Sequence, residues 1–85
     1  MKRVLAIGGS DSGGGAGLQA DLKTLHSMGI HASTVVTAVT AQSSTAVVDV
    51  HDVPEASIRA QLAAVLDDIG ADVVKTGMLS SPGAV

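Results

Sequence analysis

Cysteine and aromatic residues are both absent from this sequence of 85 residues. Without cysteine, these residues can form no disulfide, no thiolate metal site and no thiol nucleophile. Without Phe, Tyr or Trp, they offer no platform on which single-stranded bases could stack and no aromatic anchor for an obligate protein interface. The two absences exclude several redox, metal-binding and nucleic-acid-binding functions for this stretch of chain.

Positive charge is also scarce. Five Lys and Arg stand against eight Asp and Glu, which gives a formal net charge of −3 and a pI near 5.3. A chain with this balance has no basic surface for nucleic acid phosphates or for an anionic membrane. We therefore expect small-molecule partners, with no nucleic acid and no membrane among them.

Long hydrophobic runs are missing as well. No apolar stretch approaches the ~20 residues that span a bilayer. The apolar residues 4–7, which follow Lys2 and Arg3, are too few for a signal-peptide core, so we expect a soluble protein of the cytoplasm. The hydrophobic residues, 46% of the chain, are mostly small. We therefore expect a thin core and a chain that is part of something larger.

The first third of the sequence predicts a strand, a loop and a helix. Residues 4–7 predict a short buried strand, and the glycine-rich residues 8–15 that follow predict a loop. Leucines spaced at i, i+4 and i+7 then predict an amphipathic helix that begins at Ala16 and stops at Gly29. These leucines are Leu18, Leu22 and Leu25.

A second helix is predicted after residue 52. Asp52 and Glu55 have the spacing of a capping box, and Pro54 suits the first turn of a helix. Gly70 marks the end. The residues expected to face inward are Ile58, Leu62, Val65, Leu66 and Ile69.

Three further segments have the composition of strands. Residues 32–39 are rich in Val and Thr and predict a strand covered on both faces. Residues 47–50 predict a short strand, and residues 72–76 predict another. The resulting order of strands and helices predicts an α/β fold with a mostly parallel sheet and right-handed crossovers.

Ligands of such sheets bind at the carboxyl ends of the strands. Three segments are expected to converge there, namely residues 8–15, 40–44 and 77–81. This convergence follows from the topology and predicts a ligand cleft at that edge of the sheet.

The glycine loop has two familiar interpretations as a nucleotide site, and neither fits well. A Walker A loop needs glycine directly before Lys-Ser/Thr, but Lys23 and Thr24 follow Leu22. Residues 15–20 match G-x-G-x-x-A, yet the second strand does not end in the acidic residue that would hold a ribose. The loop either brings its backbone close to a ligand or only makes a tight turn between strand and helix.

Two polar residues are candidates for ligand contacts. Asp21 lies at the border of the apolar stripe of the first helix, so it either accepts a hydrogen bond from a ligand or complements the helix dipole and the amides of the glycine loop. Gln42 offers one acceptor and two donors, which match the edge of an aminopyrimidine or an amide, or else tie down its own loop. By itself Met78 reads as a filler of core gaps, and Lys75 as a solvated residue unless it meets an anion. The three histidines of the chain do not have the spacing of metal ligands; they are His26, His31 and His51.

Three blocks of the sequence resemble one family. They are residues 6–24 (AIGGSDSGGGAGLQADLKT), 37–42 (TAVTAQ) and 74–79 (VKTGML). Together they resemble the amino-terminal signature of the hydroxymethylpyrimidine/phosphomethylpyrimidine kinases of thiamine biosynthesis. The resemblance implies a ribokinase-like α/β fold and a kinase that transfers the γ-phosphoryl group of ATP, with Mg²⁺, to the pyrimidine and then to its monophosphate. It also implies a homodimer for the full-length protein.

The same resemblance implies four substrate-binding residues in this chain. Gln42 would read the ring-nitrogen and amino edge of the pyrimidine, and Met78 would pack on the ring. The backbone of Gly9 would border the hydroxymethyl group, and Asp21 would supply a further polar contact.

Members of this family are much longer, and their carboxy-terminal part carries the anion hole, the catalytic base and most of the ATP pocket. We therefore interpret residues 1–85 as the amino-terminal portion of a single kinase domain, with no catalytic residue and no metal ligand, and we expect this chain alone to be inactive. The alternatives are a vitamin kinase that acts on pyridoxal or pyridoxine, and a non-catalytic pyrimidine-binding module.

Overall fold

The computed structural model describes residues 2–77, which form four strands and two helices. In chain order these are β1 (Arg3–Asp11), α1 (Gly17–Ser27), β2 (His31–Gln42), β3 (Val47–Asp52), α2 (Glu55–Asp68) and β4 (Val73–Thr76). Each predicted helix and strand is present. Met78 lies outside the described residues. Neither helix of the described part is long and apolar enough to cross a membrane.

The strands form one sheet in the order β3-β2-β1-β4. β1 pairs in parallel with β2 and with β4, whereas β3 runs antiparallel to β2. The mostly parallel α/β fold is therefore confirmed. The first crossover leads from β1 to β2, and the second leads to β4 on the other side of β1. Crevices for ligands form where such connections diverge, at the carboxyl end of β1.

The two helices pack on opposite faces of the sheet. Leu5 and Val35 are fully buried and cluster with Ile58 of α2. Leu18 of α1 lies over Gly8, where an added Cβ would be 3.7 Å from the Leu18 Cδ2 atom. Since Leu5 and Gly8 are an odd number of residues apart on one strand, they face opposite sides of the sheet. Both faces of β1 are therefore covered by a helix.

Arg3 fastens the start of β1 to the residue that precedes β4. Its backbone N–H donates to Asp72 Oδ2 at 2.8 Å, and its guanidinium donates to both Asp72 oxygens. The same guanidinium donates to the Ile69 carbonyl at 2.6 Å. The side-chain hydrogen bond from Arg3 holds the pKa of Asp72 below its ordinary value.

β1 is longer than the predicted strand because its ladder continues through the first glycines. Gly8, Gly9 and Asp11 all pair with β2, and the register shifts between the two glycines. The connection between β1 and α1 is therefore residues 12–16, and in the following subsections this segment is called the glycine loop.

The predicted capping box is wrong. Asp52 is the last residue of β3, and the N–H of Val53 donates to the Thr37 carbonyl of β2 at 2.9 Å. The chain therefore stays extended until Pro54, which is the N-cap of α2 and makes no side-chain capping hydrogen bond. Asp52 lies two residues before the N-cap.

Some helix residues predicted to face inward are exposed. Leu22 of α1 is 37% exposed, and Leu66 and Ile69 at the end of α2 are 50% and 37% exposed. The described sheet has only four strands, and β4 contributes four residues to it. Its area is too small to cover more than one stripe of each helix.

Candidate functional site

The carboxylate of Asp11 organises the glycine loop. Its Oδ1 atom accepts the N–H of Gly13 at 2.8 Å, and its Oδ2 atom accepts those of Gly15 at 3.0 Å and Ala16 at 2.8 Å. Asp11 is only 5% exposed. A run of loop amides that converge on one point is a binding site for an anion. Here the anion is a side chain of the same chain, so these amides are not available to a phosphate.

A glycine is required where the glycine loop enters α1. Gly17 has φ +59°, and a Cβ built on it would lie 2.4 Å from the carbonyl oxygen of Gly9. Any side chain at this position would both strain the backbone and clash with β1. The close approach of Gly17 to Gly9 therefore sets how tightly the loop folds over the end of β1.

Two side chains of neighbouring elements bind the end of β1. Gln19 of α1 accepts the Asp11 N–H at 2.7 Å and donates to Ser10 Oγ at 2.8 Å. Thr40 of β2 donates to the Ser10 carbonyl at 2.8 Å. Because every one of these groups is paired, the end of β1 is held rigidly between α1 and β2.

The hydroxyl of Ser12 ties the glycine loop to the end of β2. It accepts the backbone N–H of Gln42 and donates to the Gln42 carbonyl, each at 2.6 Å. The side-chain oxygen of Gln42 lies 3.3 Å from the Thr40 hydroxyl, whose single proton has a shorter contact with Ser10. The backbone of Gln42 is therefore fixed, while its side-chain amide keeps hydrogen-bonding capacity for a ligand.

Asp21 pairs with Lys75. The ammonium of Lys75, near the end of β4, donates to Asp21 Oδ1 of α1. The Asp21 side chain is 19% exposed and that of Lys75 is 54% exposed. Of the two interpretations of Asp21, the one in which it bonds to the loop amides is wrong, because Asp11 takes them. Asp21 also lies beyond the first turn of α1. Lys75 is not simply solvated, because the anion that it meets is Asp21.

The carboxyl ends of β1, β2 and β4 surround a cavity of about 520 Å³. Gly9, Asp21 and Gln42 all lie on its wall, so the structure brings these three predicted site residues together. The other lining residues are Gly8, Ser10, Asp11, Ala16, Gly17, Ala20, Ala38, Thr40, Val47, Val50, Lys75 and Gly77. Small apolar residues thus alternate with hydroxyl, amide and charged groups, which suits a small ring with a polar edge.

The residues that sequence reasoning missed are Asp11, Ser12 and Gln19. The spacing of Asp11 and Gly13 is that of an Asx-turn, in which a carboxylate accepts an amide two residues further along. That signal was present in the sequence. The bonds of Ser12 and Gln19 depend on how α1 and β2 pack against β1, and no local pattern predicts them.

The histidines and acids do not form a metal site in the part of the chain that the structure describes. No group of three His, Asp or Glu side chains there could hold an ion. His26 and His31 line a second cavity of about 500 Å³ beside Leu22, away from the carboxyl ends of the strands.

Sequence comparison assigns the family. The family model of phosphomethylpyrimidine kinase matches residues 11–85. This chain belongs to that family. Its first matched residue is the carboxylate that organises the glycine loop.

Individual members of the family and related structures agree with this assignment. The hydroxymethylpyrimidine/phosphomethylpyrimidine kinase of Streptomyces coelicolor is 58% identical over 78 residues, which are 92% of this chain and 29% of that protein. The crystal structure of phosphomethylpyrimidine kinase from Clostridium difficile 630 aligns with a TM-score of 0.95 and 46% identity, over 99% of this chain and 36% of that one. Pyridoxal kinase from Staphylococcus aureus, in complex with AMP-PCP and pyridoxal, aligns with a TM-score of 0.87 and 38% identity, over 99% and 31%. The chain thus spans about a third of the length of these relatives.

Proposed function

We propose that the full-length protein containing this chain phosphorylates hydroxymethylpyrimidine and then its monophosphate, with ATP as the phosphoryl donor. In this proposal residues 1–85 are the amino-terminal portion of one kinase domain and supply its pyrimidine-binding side. The observation that carries the proposal is the single cavity on whose wall Gly9, Asp21 and Gln42 meet. These are three of the four residues that the family resemblance assigns to the pyrimidine.

Each of these residues has the chemistry for a pyrimidine contact. The side-chain amide of Gln42 can donate to a ring nitrogen and accept from the exocyclic amino group. Asp21 accepts hydrogen bonds, and the missing side chain of Gly9 allows the hydroxymethyl group to approach the backbone. Met78 is proposed to pack on the ring, as the resemblance implies.

The phosphates of ATP and the Mg²⁺ ion belong elsewhere in the full-length protein. The AMP-PCP bound to the pyridoxal kinase of Staphylococcus aureus is an ATP analogue, and this supports ATP as the donor here. The amides of the glycine loop are occupied by Asp11, and the described residues hold no cluster of three metal ligands. As the family resemblance implies, we propose that the catalytic residue and the Mg²⁺ ligands lie beyond Val85.

A second candidate function is the phosphorylation of pyridoxal or pyridoxine. It is favoured by one observation, the close alignment with a pyridoxal kinase that holds pyridoxal. The higher identity and TM-score of the phosphomethylpyrimidine kinase of Clostridium difficile favour the pyrimidine. A homodimer in the cytoplasm is the arrangement that we expect for either kinase.

The test is a side-by-side assay of ADP release by the full-length protein with hydroxymethylpyrimidine, its monophosphate, pyridoxal and pyridoxine. We expect the two pyrimidines to have the highest kcat/KM. Preference for pyridoxal would transfer the assignment to the second candidate. Binding of the pyrimidine in a calorimeter without ADP release would identify a non-catalytic binding module instead.

A further inference from the structure

Lys75 is a lysine on the wall of the candidate cavity, and no other basic side chain of residues 2–77 lines it. It comes from β4, whereas its partner Asp21 comes from α1. The two residues are 54 positions apart in the sequence, so the pair joins two elements that meet only through the fold. Both residues line the cavity, which gives the pair a place in ligand binding as well as in stability.

The two oxygens of the Asp21 carboxylate have different surroundings. Oδ1 accepts from the Lys75 ammonium, whereas Oδ2 has no hydrogen-bond donor among the described residues. The Asp21 side chain is 19% exposed, and Oδ2 is not among the buried side-chain atoms of the described residues that lack a partner, so a ligand in the cavity can reach this oxygen. Lys75 therefore holds Oδ1 and leaves Oδ2 to accept a hydrogen bond from a ligand in the cavity.

Lys75 itself is well suited to hold another residue in place. Its stem lies on β4, which pairs with β1 next to the cavity, and the neighbouring Gly77 donates its N–H to the Ile7 carbonyl of β1 at 2.8 Å. The backbone that carries Lys75 is thus fixed to the centre of the sheet. A group that must be oriented within a fraction of an ångström is best held from such a rigid element.

We propose that Lys75 is a positioning residue that orients the Asp21 carboxylate so that Oδ2 accepts a hydrogen bond from the pyrimidine substrate. This inference rests on the proposed function. Lys75 acts through Asp21 and makes no contact with the substrate, whether the substrate is hydroxymethylpyrimidine or its monophosphate.

The experiment is a double-mutant cycle in the full-length kinase with the variants Asp21→Asn, Lys75→Met and the two combined. Lys75→Met is expected to raise the KM for both pyrimidines about tenfold, because the misplaced Asp21 carboxylate no longer accepts the hydrogen bond from the pyrimidine in good geometry. The KM for ATP is expected to stay unchanged. The KM of the double variant for both pyrimidines is expected to be no higher than that of Asp21→Asn alone. Lys75→Arg, which keeps the charge and a donor, is expected to recover most of the loss.

A matched control is Arg59→Met, which removes the basic partner of the Glu55 ion pair on α2, away from the cavity. It should leave every KM unchanged. Thermal unfolding of each variant without ligand separates a loss of folded protein from a loss of affinity. If kinetic constants per folded molecule are unchanged in Lys75→Met, the proposal is overturned.

Two other results would also overturn it. Multiplicative losses in the double variant, or a loss confined to the monophosphate, would mean that Lys75 contacts the substrate directly.

The activity of the wild-type protein tests the proposed function separately. If it binds hydroxymethylpyrimidine without turnover, the kinase proposal fails, while calorimetric affinities of the same variants still test Lys75; no binding at all would overturn both.

Discussion

At the scale of single residues, the order of the glycine loop depends on a side-chain acceptor, the Asp11 carboxylate, that binds backbone N–H groups of the same chain. Asp11 satisfies three amides that would otherwise point into the glycine loop without partners. A buried donor that loses its acceptor costs more free energy than the bond itself contributed. The order of the glycine loop therefore depends on this one carboxylate.

Asp11→Asn keeps the shape of this residue but replaces one acceptor oxygen with a donor. We expect it to lower the free energy of unfolding of the full-length protein by about 2 kcal/mol, because the new NH₂ group faces amides that are also donors. Urea unfolding measures the change. Asp67→Asn on the exposed side of α2 is the control and should have almost no effect. Equal midpoints for Asp11→Asn and wild type would contradict the role given to this carboxylate.

Gln42→Ala tests the proposal that the side-chain amide of Gln42 reads the pyrimidine edge. We expect kcat/KM for both pyrimidines to fall by the equivalent of about 1 to 3 kcal/mol, because the polar edge of the bound ring loses its partner. The KM for ATP should change little. The control is Ser44→Ala, an exposed position two residues after Gln42 that does not line the cavity. Unchanged kinetics with both pyrimidines would remove Gln42 from the site.

At the scale of elements, the bonds between Arg3 and Asp72 join the start of β1 to the start of β4. Asp72 has a pKa below its ordinary value because Arg3 donates to its carboxylate. Because the pKa of Asp72 is lower in the folded than in the unfolded state, its bonds with Arg3 stabilise the protein at pH values above the pKa of the unfolded state. This contribution is lost as the pH falls through the pKa of the folded state.

The corresponding prediction is a pH-dependent difference between wild type and Asp72→Asn. Above about pH 5 the variant should unfold at a lower urea concentration than wild type, and the difference should shrink as the pH falls below about 4. Urea midpoints at several pH values measure it. A difference that stays constant across this range would show that the charge of Asp72 is not the cause.

Elements with a local sequence pattern could be predicted, and contacts between elements could not. Val73 and Val74 indicated β4, and the leucine spacing indicated α1, because periodicity reports which side of a segment is covered. The capping box at Asp52 failed because β3 holds that residue in a ladder, which no local pattern reveals. Topology alone indicated that the carboxyl ends of the strands would meet. The pairing of Asp21 with Lys75 could not be predicted, because it requires both the packing of α1 on β1 and the pairing of β4 with β1.

At the scale of the whole molecule, the described residues leave much apolar surface uncovered. Val48 of β3 is 80% exposed, and Val73 and Val74 of β4 are 50% and 54% exposed. Within the described residues only two side chains larger than Thr37 are fully buried. So small a core stabilises a chain of this length only marginally.

We therefore predict that residues 1–85 expressed alone unfold at low urea concentration, associate through their exposed valines, and show no ATP-dependent phosphorylation of hydroxymethylpyrimidine. Analytical ultracentrifugation, urea unfolding and the ADP-release assay test the three parts. The full-length protein is the reference for each measurement. A monomer with a cooperative transition and measurable turnover would contradict the interpretation of these residues as the substrate side of a larger domain.

The loop that Asp11 holds together also affects how fast a ligand can enter the cavity. Because the glycine loop is ordered before the ligand arrives, no closing motion of this loop needs to accompany binding. In stopped-flow experiments the observed rate should rise linearly with pyrimidine concentration, as expected for a single bimolecular step. In Asp11→Asn the loop must first reach its ordered form, so we expect a slower phase whose rate saturates with pyrimidine concentration. The role of the Asp11 carboxylate would then be measured as a change in the time course of binding.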